Sequence, residues 1–467
     1  MYKHRIWALL TGLLVLAVVL ASCGATATPE PTATEAMTEP TATEAMAEPT
    51  ATEAMGEAPS GLEGIEADIG GTVSILAVWS GEEQDSFMAM LQPLLDHTGI
   101  EVEYTASRDI NAILTTQIEG GNPPDVAGLP GPGQLREFAA EGHLVALNDI
   151  LDMDALQQNY DEGFLDQGMV DGQLYGFFAK ASVKSFIWYS PPAFEAAGYE
   201  IPTTWEELNA LEQQIIDDGA TPWCIGLESG AATGWPGTDW IEDIMLRTAG
   251  VDTYDQWWQH EIPWTDDTVR NAWETWGTVV GDQAMIYGGT PYVLSTNFGE
   301  APFPLFDDPP GCYLHRQASF ITGFIEDQFP DLEAGTGYNF FEFPPIDEQH
   351  GNPLLIAGDL MGVFNDTPQS RAVAQWLVSA DAQRIWAERG GFLAPNKQVD
   401  PSVYPDQITV QIGELLTQAT AVRFDASDLM PEAVNSSFWS GIVDFVSDPS
   451  QLDSILQSIE SAAESAY

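Results

Sequence analysis

Residues 72–129 read TVSILAVWSGEEQDSFMAMLQPLLDHTGIEVEYTASRDINAILTTQIEGGNPPDVAGL, and the division of this stretch decides the fold. Thr72 to Trp79 is a buried-strand run. From Glu82 to His97 the apolar residues Phe87, Met90, Leu91, Leu94 and Leu95 recur at helical spacing. Ile100 to Tyr104 alternates apolar and polar as a half-buried strand does. Ile110 to Ile118 returns to helical spacing, and Gly120-Gly121-Asn122-Pro123-Pro124 ends it. Asp125 to Leu129 is a third short strand. This βαβαβ order predicts a mostly parallel sheet with helices on both faces. Ligands of such open sheets sit beyond the carboxyl ends of the strands. The loops after Trp79 and around Asp125 are therefore expected at a binding edge.

The alternation continues downstream. Tyr175 to Trp188 is strand-like, and Ser190-Pro191-Pro192-Ala193-Phe194 opens a helix. Thr204 and Glu207 have the spacing of a capping box. A strand-rich stretch from Phe340 to Val363 precedes a helix expected over Ser370 to Arg389, and helical patterns dominate beyond it. The body from Gly70 to Tyr467 is about 400 residues, enough for two lobes with separate cores. Of the fifteen tryptophans only Trp7 lies outside it. Fourteen exceed what such a core needs, so some are expected to line a cleft.

Upstream of the body, Lys3 and Arg5 precede an apolar run from Ile6 to Leu20. At about 15 residues it is too short for a membrane span of roughly 20 and suits a secretory signal. It ends in Leu20-Ala21-Ser22-Cys23-Gly24, the small-residue pattern read by a lipoprotein signal peptidase, which leaves Cys23 to carry the lipid. The alternative is an ordinary cleaved signal with a chance cysteine. Three nonapeptides follow, Pro31 to Glu39, Pro40 to Glu48 and Pro49 to Glu57, each beginning PTATEAM. They lack aromatic and large branched apolar residues, and a proline every nine residues rules out a helical stalk. Residues 1–22 are thus expected to be a signal peptide. Residues 23–69 are expected to be a disordered tether on the outer face of the cell membrane.

Charge excludes some partners. Fourteen Lys and Arg stand against 71 Asp and Glu, a net charge of −57. Such a surface repels nucleic acid and disfavours polyanionic ligands. With Cys23 lipidated, Cys224 and Cys312 remain, suggesting a disulfide outside the cell or two separately buried thiols. No zinc spacing, EF-hand, P-loop or GxSxG motif is present. Neither a metal nor a cofactor is expected.

Five short stretches carry a resemblance. WYSPPAFEAAG at 188–198, followed by IPTTWEEL at 201–208, resembles the YN-x-x-x-F-x-x-A-G … P-x-T-W-x-E-L signature of extracellular sugar-binding proteins. These are the maltose-binding-protein-like receptors of ABC importers. PWCIGLESGAATGWP at 222–236, DWIED at 239–243 and FDASDLMP at 424–431 resemble the α-glucoside-binding branch, including its cysteine pair. The resemblance covers Gly70 to the C-terminus. It implies an α/β, two-lobed periplasmic-binding-protein-like fold, with one lobe at 70–180 plus 338–395 and the other at 181–337 plus 396–467. Many relatives carry a proline just after the glycine of Gly176-Phe177-Phe178, so hinge placement stays open. The implied ligand is a neutral mono- or oligosaccharide, an α-glucoside first. The implied partners are ABC permease subunits, met by a monomer tethered to the membrane.

A neutral sugar needs flat aromatics for its C–H faces and fixed polar groups for its hydroxyls. Carboxylates serve well, because charge-assisted bonds exceed neutral ones. The expected ligand-binding residues are Trp79, Glu82, Asp125, Lys184, Glu228, Ser229, Trp235, Trp240, Asp359 and Arg423. Several have plainer readings. Trp79 and Trp240 suit the core, and Asp125 suits a cap. Glu228 and Trp235 suit loop packing near the cysteines. Arg423 suits an ion pair with Asp425 or Asp428, and Lys184 one with a cleft carboxylate. Outside binding, a glycosidase needs two flanking carboxylates, and 71 acids supply such pairs by chance. A structural or adhesion lipoprotein is the third class.

The leader generates a test of its own. Cys23→Ala is expected to release the protein from the membrane fraction or leave it unprocessed. Wild-type protein recovered wholly soluble outside the cell, without lipid, would refute the anchor.

Overall fold

The computed structural model describes residues 60–419 and 421–467; the signal, Cys23 and the PTATEAM repeats lie outside the described residues. The decisive stretch folds as β1 (Thr72–Ala77), α1 (Glu82–Thr98), β2 (Glu101–Ala106), α2 (Ile110–Glu119) and β3 (Val126–Leu129). A helix α3 (Pro132–Ala140) follows. β1 pairs in parallel with β2 and β3. Gly99 ends α1 in a left-handed conformation at φ 67°, donating its N–H to Leu95 O at 2.8 Å. The sheet is completed by Leu360–Val363, antiparallel to β3, and then Gly176–Phe178. Val73, Ile75, Leu91, Leu94, Leu114 and Leu129 are buried in its core.

A second core lies among longer helices, and smaller sheets stand between the two cores, burying Phe186, Trp188 and Phe340 in the first and Ile187, Phe341 and Leu355 in the second. One three-stranded sheet joins Asn339–Glu342, Phe186–Tyr189 and His315–Arg316. Another joins Val422–Phe424, Leu354–Ala357 and Ser182–Val183. The helices Trp235–Thr248, Asp267–Val280, Glu432–Ser447 and Leu452–Ala466 enclose Trp240, Trp273 and Trp276. Trp223, Trp257 and Trp264 are buried in the same core. Most of the tryptophans are therefore core, which leaves only a few for a cleft.

Three expected boundaries shift. Residues 60–69, assigned to the tether, pack on the body: Leu62 and Ile65 are buried, and the Gly61 N–H donates to Asp381 Oδ2 at 2.9 Å. The strands within 338–357, assigned with the first sheet, pair instead with Phe186–Tyr189, Ser182–Val183 and Val422–Phe424. Of the assigned segment 338–395, only Leu360–Val363 enters the five-stranded sheet. Ile408 and Ile412, assigned to the other lobe, bury into the first core. The helix expected over 370–389 breaks into Pro368–Leu377 and Ala380–Ala387, because Ser379 caps the second through its Oγ. At Thr204 the hydroxyl caps Glu207 N as expected, but the Glu207 carboxylate accepts from Thr203 N instead of closing the box.

Cys224 and Cys312 are bonded, with Cα atoms 5.6 Å apart and both residues buried. The bond closes a loop of 88 residues beside a backbone contact from Cys224 N to Leu314 O at 2.8 Å. Replacing both cysteines by alanine is expected to lower stability by roughly 2–5 kcal/mol. Urea unfolding of that variant measures it, and a loss under about 0.5 kcal/mol would deny the bond a stabilising role.

Candidate functional site

A cavity of about 120 Å³ lies beyond the carboxyl ends of β1 and β3, where Val78, Trp79 and Pro130 reach its wall. From the first core come Glu83 at the start of α1, Arg108 and Asn111 around the start of α2, Lys180, and Gly358-Asp359. Opposite them stand Lys184, Ser229, Trp235, Thr238, Asp425, Asp428 and Trp439, with Phe320 alongside.

On the first wall the charges are joined in a chain. Trp79 Nε1 donates to Asp359 Oδ2 at 2.9 Å. Lys180 Nζ lies 3.0 Å from Asp359 Oδ2 and 3.2 Å from Glu83 Oε1. Arg108 Nη2 reaches Glu83 Oε2 at 3.5 Å. The Lys180 ammonium also sits 3.6 Å from the Phe392 ring centre, a cation–π contact that helps hold it with little water.

The second wall rests on a buried ion network. Lys184 Nζ donates to Asp239 Oδ1 at 2.9 Å and to Asp425 Oδ2. Arg316 pairs with Asp239 at 2.9 Å and with Asp243, and Arg247 pairs with Asp243 at 2.7 Å. Burial opposes charge on Lys184, but Asp239 and Asp425 outweigh it and hold its pKa well above the ordinary lysine value. Burial, reinforced by the Asp425 charge, lifts Glu242 and Asp428 well above the carboxylate range. That shift favours the neutral form of both acids. Three carboxylates, Asp239, Asp243 and Asp425, are thus paired with three cations, Lys184, Arg247 and Arg316, as buried charges require.

The two walls touch at the rim. The Ala231 N–H donates to Asp109 Oδ1 at 3.0 Å, and the Arg108 guanidinium lies 4.7 Å from the Phe298 ring centre. Asn111 Nδ2 donates to Glu432 Oε2 at 2.7 Å. The cleft is thus closed over its cavity.

Of the expected ligand residues, Trp79, Lys184, Ser229, Trp235 and Asp359 line this cavity. The others do not. Glu82 is exposed and faces Arg389, because one step along the first turn of α1 brings Glu83 to the cavity instead. Asp125 precedes β3 and so lies at the amino end of the parallel strands. There its carboxylate accepts from Ser74 N at 2.8 Å and from Asn365 Nδ2 at 3.1 Å. Glu228 braces its own loop, accepting from Gly230 N at 2.9 Å and Asn297 Nδ2 at 2.8 Å. Those donors hold its carboxyl below its ordinary pKa. Trp240 is core, its ring centre 4.8 Å from that of Trp223. Arg423 pairs with Asp255 at 2.8 Å, and not with Asp425 or Asp428. Sequence reasoning missed Lys180, Glu83, Arg108, Asn111, Asp428 and Trp439. The sequence holds only four lysines, and that rarity is a signal that could have found Lys180, four residues before Lys184.

Residues 80–384 match the family model of bacterial extracellular solute-binding proteins. The chain is 46% identical over 375 residues to the osmoprotective compounds-binding protein GgtB of Synechocystis, covering 80% of this chain and 88% of that protein. It is 42% identical over 395 residues to the alpha-glucosides-binding periplasmic protein AglE of Rhizobium meliloti, covering 82% and 85%. Among solved structures, a chitin oligosaccharide binding protein superposes with a TM-score of 0.74 at 19% identity, covering 85% of this chain and 98% of that one. This last likeness establishes the two-lobed α/β fold.

The ion network predicts a large effect of removing its centre. Lys184→Met leaves Asp239 and Asp425 buried without their ammonium and is expected to cost roughly 3–5 kcal/mol. Urea denaturation measures this, and a change below about 1 kcal/mol would show that the network does not depend on Lys184.

Proposed function

The chain belongs to the bacterial extracellular solute-binding protein family, and we propose that its solute is a neutral α-glucoside, held between two lobes that close on it. The observation that carries this reading is the pairing of charge in the cavity. Lys180 answers to Glu83 and Asp359, Lys184 to Asp239 and Asp425, and Arg108 to Glu83. Burial and the Asp425 charge push the Asp428 carboxyl well above the ordinary carboxylate range. Every lining cation already has its acids, so a neutral polyhydroxylated ligand fits and an anionic one meets no complement. The paired groups still offer free lone pairs and N–H bonds to hydroxyls, and such charge-assisted bonds are strong. Trp235, half-buried beside Phe298 at 5.2 Å between ring centres, offers a face for the C–H side of a pyranose. In this reading Asp359, Lys180, Lys184, Ser229 and Trp235 contact the sugar, and Trp79 holds Asp359 in place. The preference for α-glucosides rests on the likeness to the alpha-glucosides-binding protein.

The sugar would touch both walls and so favour the closed state by its differential affinity. The loaded protein would then dock on ABC permease subunits in the membrane. A lipid on Cys23 would keep it near them. The function is capture and not hydrolysis, so sugar recovered after incubation should be intact.

Calorimetry with maltose, sucrose and trehalose tests this. At least one is expected to bind, with a change in tryptophan fluorescence. Trp235→Ala is expected to weaken that sugar by about tenfold or more at unchanged fold. Failure of all three sugars to bind would overturn the ligand class. Unchanged affinity in the variant would overturn the site assignment alone.

A further inference from the structure

Three polar atoms on the cavity wall are buried and have no hydrogen-bond partner among the described residues: Asn111 Oδ1, Ser229 Oγ and Trp439 Nε1. Ser229 is 1% exposed and Trp439 is 8% exposed. A buried polar atom without a partner costs roughly 1–3 kcal/mol, so such atoms gathered at one cavity mark where ligand groups belong. Their chemistry is complementary. An amide oxygen only accepts, an indole N–H only donates, and a serine hydroxyl does both. A sugar hydroxyl can donate and accept at once, which matches this set.

Asn111 differs from the other two because something fixes which end of its amide faces the cavity. Its Nδ2 donates to Glu432 Oε2 at 2.7 Å. Glu432 opens the helix Glu432–Ser447, which also carries Trp439, and its other oxygen accepts from Ser436 Oγ at 2.7 Å. Asn111 stands on α2, across the cleft. The contact therefore forms between walls, and forming it turns the amide oxygen inward.

We propose that Asn111 is a specificity-determining residue that reads one ligand hydroxyl through Oδ1, oriented by Glu432 only when the cleft closes, with Trp439 Nε1 donating to the same end of the sugar. This rests on the α-glucoside reading above. It makes hydroxyl recognition and closure a single event. An open cleft leaves the amide free to rotate, whereas the closed cleft presents an acceptor and rejects a ligand that has no hydroxyl there. Rejection of this kind is stronger than that of an apolar pocket, because a missing hydroxyl strands a buried polar atom.

The test uses the whole mature protein and whichever of maltose, sucrose or trehalose the wild type binds, together with the monodeoxy analogues of that sugar. Affinities are measured by calorimetry and folding by thermal melting. Asn111→Ala is expected to weaken the parent sugar about tenfold or more. One deoxy analogue, already weak for the wild type, should bind Asn111→Ala and wild type alike. Glu432→Ala should weaken the parent sugar too, and the double variant should be little worse than Asn111→Ala alone, as expected for residues that act as a pair. Trp439→Phe should weaken the parent while keeping most of the ring. Unchanged affinity in Asn111→Ala overturns the proposal. So does an equal loss across every deoxy analogue, which would mean that Asn111 shapes the cavity without reading a hydroxyl. Fully additive losses in the double variant overturn the orienting role of Glu432. Wild-type protein that binds none of the sugars refutes the α-glucoside reading itself, an outcome separate from these.

Discussion

Lys184 is an ammonium group almost cut off from water, and the second wall of the cleft is assembled around satisfying it. Its partners come from far along the chain: Asp239 is 55 residues away and Asp425 is 241. Meeting this demand brings the helix Trp235–Thr248 and the end of the strand Val422–Phe424 to one point. Arg316 and Arg247 extend the same pattern, so that Asp239 and Asp243 each answer to two or more groups. A buried pair of this kind contributes little net stability against an apolar replacement, because desolvation offsets attraction. Its value here is positional. It holds polar atoms at the cavity wall where an apolar core would have none.

The tryptophan-rich core behind that wall explains how the arrangement stays in place. Trp240 packs between Trp223 and Trp276, and Trp273 against Phe445 and Phe438. Large rings with two side-chain torsions fill volume at small entropic cost. The disulfide ties the same region again, through Cys224 beside Trp223. The half carrying Lys184 and Trp235 thus has the makings of a rigid body. In the proposed closure the start of α2 would meet it, and the rim contacts of Arg108, Asp109 and Asn111 all come from that one short stretch.

The parallel sheet was legible because its evidence is local. Apolar spacing marks each strand and helix of 72–129, and glycine and proline mark the ends. The disulfide also agrees with the sequence reading, and of the residues expected to bind ligand, Trp79, Lys184, Ser229, Trp235 and Asp359 reach the cavity wall. What failed was direction and distance. Asp125 has the right chemistry at the wrong end of its strand, since the residue before a parallel strand lies opposite the ligand edge. Glu82 and Glu83 are indistinguishable in composition, and only the start of the helix decides which turns inward. Trp235 and Trp240 share a helix, yet of the two only Trp235, at its first position, reaches the cavity. The Arg423–Asp255 pair spans 168 residues and leaves no local trace. The strands of 339–357 were misassigned for the same reason, because alternation identifies a strand but not its partner.

The cavity divides its polar groups into two classes, and the division bears on how a ligand drives closure. Paired groups such as Lys180 with Asp359 are satisfied before any ligand arrives, so closing over them costs little. The orphaned atoms of Asn111, Ser229 and Trp439 are different. In an open cleft water can serve them, and closure removes that supply. At roughly 1–3 kcal/mol for each stranded atom, three of them disfavour an empty closed state by several kcal/mol. A change from about 1:99 to 99:1 in favour of closure needs roughly 5.5 kcal/mol of differential affinity. Hydroxyls that satisfy all three atoms supply energy of that order, and a ligand that satisfies only one does not. Selectivity and closure are thereby set by the same few atoms, while the buried ions behind them provide the fixed frame.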